Sequence, residues 1–345
     1  MEQNNKKIRL AITHGDINGI CYEVILKTFS DPRMLEQCTP ILYGSSKVAS
    51  YHKKLLAHQG DVTFNAIREA SQATDRHFNV LNITQDEIKI DIGQSTDIAG
   101  KLALQALDMA CEDLKQNNVD VLVTAPVNKK NMQRDGVDFP GHTEYLSRKF
   151  ERKSLMMMIN DHVRIGIVTS HLALKDVPAA ITEDILMEKI LVMNASLRRD
   201  FGISMPKIAV LALDPHAGDN GVIGDHDQRV VKPTIEKAAE AGMLVYGPYP
   251  SDGFFGSVQF RNFDGVLALY HDQGLIPFKL MSFTRGVNFT AGLPYVRTSP
   301  AHGTAYDIAG KDKASEQSFR NAVYLACNIL RNRHEYDQLT ENPLR

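Results

Sequence analysis

Three histidines in this chain each follow an apolar, strand-like run. The runs are Ile165-Gly-Ile-Val-Thr-Ser-His171, Ile208-Ala-Val-Leu-Ala-Leu-Asp-Pro-His216 and Val266-Leu-Ala-Leu-Tyr-His271. In open α/β sheets, ligands bind outside the carboxyl ends of the strands, so imidazoles placed there could converge. Three neutral imidazoles with coordination positions left over would hold a divalent metal as a catalytic site does. The separations of 45 and 55 residues match no local metal motif. The other reading is that each histidine caps its strand end or satisfies a loop carbonyl.

Two loops and one basic stretch could complete a polar site. Asp214-Pro-His-Ala-Gly-Asp-Asn-Gly221 is dense in turn formers and carries two carboxylates, which suits a metal, a polar substrate or an ordinary hydrophilic loop. Gly141-His142-Thr143-Glu144 opens a helical pattern after Pro140. A helix start with His and Thr offers donors to an anion, or Thr143 simply caps it. From Lys279 to Arg297 the sequence reads as loop-like and glycine-broken, with Lys279, Arg285, Asn288 and Arg297 in it. Such cations could grip a phosphate or carboxylate, or form a solvated surface. No G-x-G-x-x-G, G-x-S-x-G or H-E-x-x-H is present.

Short β-like runs alternate with longer helical patterns, which predicts an α/β fold. Ile8–Thr13, Pro40–Tyr43, Val119–Thr124, Ile208–Leu213 and Gly265–Tyr270 read as strands. Helices are expected over Gly19–Phe29, Ser46–Ala57, Asp97–Gln116, Thr182–Arg199 and Ser315–Arg333. The third carries Ala99, Ala103, Ala106, Leu107, Ala110 and Leu114 on one stripe. The fourth has Thr182 as N-cap and Leu186, Ile190, Met193 and Leu197 as its buried face.

The length of 345 residues fits about two domains. Lys+Arg of 39 against Asp+Glu of 41 argues against a nucleic-acid or anionic-membrane binder, which needs a basic surface. The longest apolar runs are six residues, far short of the ~20 of a spanning helix, and no signal-peptide core opens the chain. A cytoplasmic protein is expected. Cys21, Cys38, Cys111 and Cys327 are scattered, without C-x-x-C, and read as buried small hydrophobes.

A set of blocks, in order, then resembles the 4-hydroxythreonine-4-phosphate dehydrogenase family of pyridoxal phosphate biosynthesis. They are Thr124-Ala-Pro-Val-Asn-Lys129, Phe139-Pro-Gly-His-Thr-Glu144, Thr169-Ser-His-Leu-Ala-Leu174, Asp214-Pro-His-Ala-Gly218, Gly247-Pro-Tyr-Pro-Ser-Asp252, Tyr270-His-Asp-Gln-Gly-Leu275, Gly286-Val-Asn288, Arg297-Thr298 and His302-Gly-Thr-Ala305. The resemblance implies two α/β domains flanking a cleft, as in isocitrate and isopropylmalate dehydrogenases, without a Rossmann fingerprint. Expected boundaries are residues 1–130 plus 275–345 for a discontinuous first domain, and 131–274 for a second that carries the dimer interface.

The same resemblance implies metal binding by His171, His216 and His271, the last contributed across a homodimer interface. It implies substrate binding by His142, Thr143, Lys279, Asn288 and Arg297. The cofactors implied are a divalent metal (Zn, Co, Mg or Mn) and NAD or NADP; no cofactor-binding residue is assigned. Asp272, beside His271, is a candidate base or an orienter of that histidine. The implied reaction is oxidation of 4-phosphooxy-L-threonine, with erythronate or threonate 4-phosphate as alternative substrates. The chain departs from the family pattern in its first loop, Thr13-His-Gly-Asp-Ile-Asn-Gly-Ile-Cys21, where two prolines are missing. It departs again at Asp214, where Asn is usual, and at Asp219-Asn-Gly, where Glu-Gly-Gly is usual.

Overall fold

The computed structural model describes residues 7–57, 62–133 and 138–341. The chain divides into two compact units, Met1–His142 with Tyr295–Leu330, and Thr143–Pro294 with Arg331–Arg345. The sequence reading sets its joins at 130/131 and 274/275.

In the first unit, β1 (Ile8–Thr13), β2 (Cys38–Gly44), β3 (Phe64–Ile67), β4 (Phe78–Asn82), β5 (Val121–Thr124) and β12 (Val296–Pro300) lie in the order β3-β4-β2-β1-β5-β12. Every neighbouring pair is parallel. Parallel strands covered on both faces need near-continuous apolar sequence, and every residue of β2 and β5 is buried. The helix Asp97–Lys115 buries the alanine-rich stripe read from the sequence. Its Gly100 is required by close packing, since a Cβ there would lie 2.1 Å from the Asn131 carbonyl oxygen.

In the second unit, β6 (Leu155–Ile159), β7 (Arg164–Thr169), β8 (Lys207–Leu211), β9 (Leu244–Tyr249), β10 (Gly265–Tyr270) and β11 (Val287–Ala291) take the order β11-β6-β7-β10-β8-β9. The β11-β6-β7 end is antiparallel, and β7-β10-β8-β9 is parallel. The helix Glu183–Arg199 starts where Thr182 accepts the Ile185 N–H, and it buries Leu186, Ile190, Met193 and Leu197. Each such side chain stabilises the fold by about 1.5–3 kcal/mol relative to exposure. All four cysteines are buried. Among the described residues, no helix is long and apolar enough to cross a membrane.

Three sequence expectations need correction. The stretch from Lys279 to Arg297 is not a loop: Lys279 lies on the helix His271–Met281, Asn288 on β11 and Arg297 on β12. Gly286 and Gly292 looked like breakers, but they sit just outside β11, whose residues Val287 and Phe289–Ala291 are buried. The strand expected to reach Leu213 ends at Leu211, because the Asp227 carboxylate takes the Leu213 and Asp214 N–H groups out of the ladder. The last helix, expected to stop at Arg333, runs from Gln317 to Glu341. Anchors beyond its apolar stripe carry it on: Arg333 pairs with Asp200 at 2.6 Å and Asp337 with Arg199 at 2.6 Å.

Candidate metal and substrate site

Strand order decides where the three histidines go. Strands β7, β10 and β8 are adjacent and parallel, so their carboxyl ends share one edge of the second unit's sheet. His171 follows β7 by two residues, His216 follows β8 by five, and His271 follows β10 directly as the first residue of the helix His271–Met281.

The His171 and His271 ring centroids are 6.3 Å apart. Glu144 Oε1 lies 2.7 Å from His171 Nδ1, and Asp272 Oδ1 lies 2.7 Å from His271 Nδ1. An ionised carboxylate only accepts, so each Nδ1 carries the proton and the lone pair resides on Nε2. This is the arrangement that orients histidine ligands and raises their basicity. Two imidazoles so prepared fit a borderline-soft divalent ion. His216 is exposed, and among the described residues no three His, Cys, Asp or Glu side chains gather into a metal cage. The structure therefore brings two of the three histidines together.

His216 sits in an unusual turn. His216, Ala217, Gly218, Asp219, Asn220 and Gly221 all have positive φ, between 43° and 95°. Four of these are non-glycine residues, for which the left-handed region costs roughly 1–2 kcal/mol each. Strain of that kind persists only where surrounding contacts impose it, and it clusters at functional sites. Asp227, fully buried, accepts the Leu213 and Asp214 N–H groups at 2.8 and 2.9 Å ahead of the turn. Burial raises its pKa. The Asp214 carboxylate packs on Gly224, where a Cβ would meet it at 2.1 Å.

The five expected substrate residues divide between the units. In the first, Arg297 is 2% exposed and donates through Nε and Nη2 to Thr124 Oγ1 at 3.2 and 2.6 Å. His142 lies edge-on to Phe139 at 5.3 Å. Burial, then the charges of Arg297 and Lys129, hold its pKa well below the usual value, so the ring is neutral. In the second unit, Thr143 is buried with its hydroxyl 3.2 Å from that of Thr290 on β11. Asn288, on the same strand, has a buried Oδ1 with no partner among the described residues, an atom that fits a ligand group. Lys279 is exposed on the last turn of its helix. Asp272 reaches the His271 ring at Nδ1.

Beside Glu144 a cavity of about 340 Å³ is lined by Thr143, Ser147, Arg148, Ser170 and Lys189, among others. The one sequence signal for Glu144 is an acid in the first turn of the helix that His142 opens.

The atypical first loop is built into the first unit. Asn18 donates to the Gln94 carbonyl and Thr96 Oγ1 at 3.0 and 2.9 Å and accepts the Asp91 N–H at 2.9 Å. Ile20 N–H bonds the Thr304 carbonyl at 3.0 Å, and Tyr306 donates to Asp16 at 2.6 Å. His14, buried, stacks on Tyr22, which stacks on His52. The run beginning at His302 thus packs directly on this loop, and His302 Nε2 is a buried atom without a partner among the described residues.

Comparison with known proteins finds relatives over nearly the whole chain. The family model described as pyridoxal phosphate biosynthetic protein PdxA matches residues 36–326. The chain is 50% identical over 347 residues to a 4-hydroxythreonine-4-phosphate dehydrogenase of Bacteroides thetaiotaomicron, covering 100% of this chain and 94% of the relative. It is 34% identical over 330 residues to an Oceanobacillus iheyensis protein provisionally named D-threonate 4-phosphate dehydrogenase, covering 94% and 98%. The crystal structure of a 4-hydroxythreonine-4-phosphate dehydrogenase from Klebsiella pneumoniae matches with a TM-score of 0.78 at 32% identity, covering 94% of this chain and 100% of that one.

Proposed function

The chain belongs to the PdxA family of pyridoxal phosphate biosynthetic proteins, and on that premise we propose that it is a cytoplasmic, metal-dependent, NAD(P)-linked dehydrogenase of 4-phosphooxy-L-threonine. The substrate is oxidised at C3: its hydride passes to the nicotinamide and its hydroxyl proton is released. The resulting 3-oxo acid loses carbon dioxide to give 3-amino-2-oxopropyl phosphate. The observation that carries this reading is the pair of carboxylate-oriented histidines, His171 and His271, at the edge of three parallel strands.

His171, His216 and His271 would hold a divalent ion (Zn, Co, Mg or Mn), which would supply Lewis acidity to the substrate alcohol. Glu144 and Asp272 hold the His171 and His271 imidazoles in the tautomer that ligates. Arg297 and Lys279 oppose the phosphate charge, Asn288 and Thr143 hydrogen-bond it, and the neutral His142 ring gives it a directed N–H. Fixing the phosphate positions the reacting carbon.

A homodimer belongs to the proposal. Exposed Leu174, Val222, Ile276, Leu280 and Phe283 lie along the chain shortly after the three histidines. Exposed apolar residues that form a contiguous patch mark association surfaces. Mixed dimers of His171→Ala and His271→Ala chains test whether the site is shared. Each dimer regains one intact site if His271 serves the partner, and none if it serves its own chain.

The reaction is tested by following reduced nicotinamide with 4-phosphooxy-L-threonine and each cofactor, with and without a chelator. Turnover that the chelator abolishes is expected; none with either cofactor rejects the proposal. The named Oceanobacillus iheyensis relative and the rebuilt first loop support a second reading, threonate or erythronate 4-phosphate as substrate. A higher kcat/KM on those acids would establish it.

A further inference from the structure

Beyond Leu211 the chain leaves the sheet in two steps. The Ala212 N–H still reaches the Tyr249 carbonyl at the end of β9, at 2.8 Å. The next two N–H groups both go to one side chain. Asp227 Oδ1 accepts that of Leu213 at 2.8 Å, and Oδ2 accepts that of Asp214 at 2.9 Å. Successive N–H groups of a strand point to opposite edges, so two that converge on one carboxylate bend the chain. The bend falls at Leu213 and Asp214. The Asp214 carbonyl then accepts the Ala217 N–H at 3.2 Å, across Pro215 and His216. His216 therefore lies inside a turn whose first residue Asp227 holds, at the start of the left-handed run.

The placing of Asp227 suits this task. An acid in the first turn of a helix ordinarily serves the N–H groups of that same helix end. Asp227 instead turns both oxygens to residues 13 and 14 positions earlier. It is fully buried. It opens a π-helical turn, Asp227–Val231, that runs into the helix Lys232–Glu240. Such turns are rare and concentrate at functional sites. Buried Val231, Thr234 and Ala238 seat this segment, and Thr234 Oγ1 donates to the Val230 carbonyl at 2.7 Å. The exit of the left-handed run is closed as well. The Ile223 N–H bonds the Gly218 carbonyl at 3.1 Å, and a Cβ on Gly218 would lie 2.2 Å from the Gly224 carbonyl oxygen.

We propose that Asp227 is a positioning residue for His216: its carboxylate ends β8 and starts the left-handed turn that presents the imidazole. The inference rests on the three-histidine site proposed above. Clamp and imidazole belong to one turn of one chain, so the clamp acts alike whether the other ligands come from the same chain or from its partner. Asp227 itself touches neither metal nor substrate. Groups that position a ligand from behind typically carry about 10–100-fold in metal affinity.

The test is calorimetric titration of the purified full chain with Co²⁺, together with the Co²⁺ absorption spectrum, neither of which needs turnover. Asp227→Asn keeps the shape but offers one acceptor where two N–H groups arrive; a Co²⁺ Kd weakened about 10-fold or more and a shifted spectrum are expected. Thr234→Val breaks a hydrogen bond on the same helical segment, lowers Tm and should leave the Kd unchanged. Parental Co²⁺ binding by Asp227→Asn, whatever its Tm, makes its role structural only and overturns the proposal. Should Asp227→Asn fail to fold, Asp227→Ser, with a single hydroxyl acceptor, is read in the same way. The clamp acts through His216, so Asp227→Asn should weaken the residual Co²⁺ binding of a His216→Ala protein no further. The same fold-loss in both backgrounds also overturns the proposal. His216→Ala alone separates the underlying reading. Parental Co²⁺ binding by that variant removes the three-histidine site itself, whereas weakened binding there with parental binding in Asp227→Asn removes only the clamp.

Discussion

Glu144 Oε1 lies 2.7 Å from His171 Nδ1, joining residues 27 positions apart in the chain. One belongs to the first turn of the helix His142–Lys149 and the other to the segment after β7. The carboxylate fixes which ring nitrogen is protonated and so which one can ligate. Glu144→Ala should weaken divalent-metal binding by about 10–100-fold. Glu144→Gln, whose amide oxygen can still accept, should weaken it less. Titration calorimetry with Zn²⁺ or Co²⁺ reads both; equal affinities in all three proteins would show that Glu144 does not orient the ring.

Arg297 is buried with its guanidinium on Thr124, which would fix its orientation for the phosphate contact proposed above. A hydrogen bond to a charged group contributes about 1.5–3 kcal/mol. Arg297→Ala is expected to raise KM for the phosphorylated substrate roughly 10–100-fold and to lower Tm as well, because the site loses packing. Steady-state kinetics decide: an unchanged KM takes Arg297 out of the phosphate pocket.

His14 and His52 flank Tyr22 in a buried stack, and burial lowers both pKa values from 6.5 to about 4. In the folded protein both are neutral down to about pH 4, whereas the unfolded chain takes up protons below about 6.5. The unfolded state therefore binds more protons between these values, and stability falls with falling pH through that window. Above pH 6.5 the pair contributes no pH dependence. Urea midpoints measured from pH 7 to pH 4 should decline, with a shallower decline in His52→Phe.

Asp200 and Arg333 form a buried pair at 2.6 Å, with side chains 3% and 6% exposed. Asp200→Asn removes the charge opposite a buried guanidinium and should destabilise by about 3–5 kcal/mol. The neighbouring Arg199–Asp337 pair is 40% and 51% exposed, and Asp337→Asn should cost about 1 kcal/mol or less. Denaturant melts of the two variants should differ accordingly; equal losses would contradict the burial argument.

Much of the fold and the placing of candidate residues at strand ends was legible because those signals are local. An apolar run followed by histidine marks a strand end, and the 3.6-residue stripe of Leu186, Ile190, Met193 and Leu197 marks a packed helix face. The segment 279–297 misled for the same reason. Its glycines are local loop signals, while the partners that make it helix and strand, such as Met156–Ile159 opposite β11, lie more than a hundred residues earlier.

By itself the sequence determined most element types, the α/β class and the family, and it singled out three histidines that follow strand ends, because each is written in neighbouring residues or ordered motifs. Only the tertiary structure decided that β7, β10 and β8 are neighbours, that Glu144 and Asp272 stand behind two of the rings, and that Asp227 reaches back to the end of β8. It also decided that His216 sits in a left-handed turn. The physical reason is that strand pairing and buried hydrogen bonds join residues far apart in sequence. Their partners are chosen by the whole packed core, and no local pattern encodes that choice.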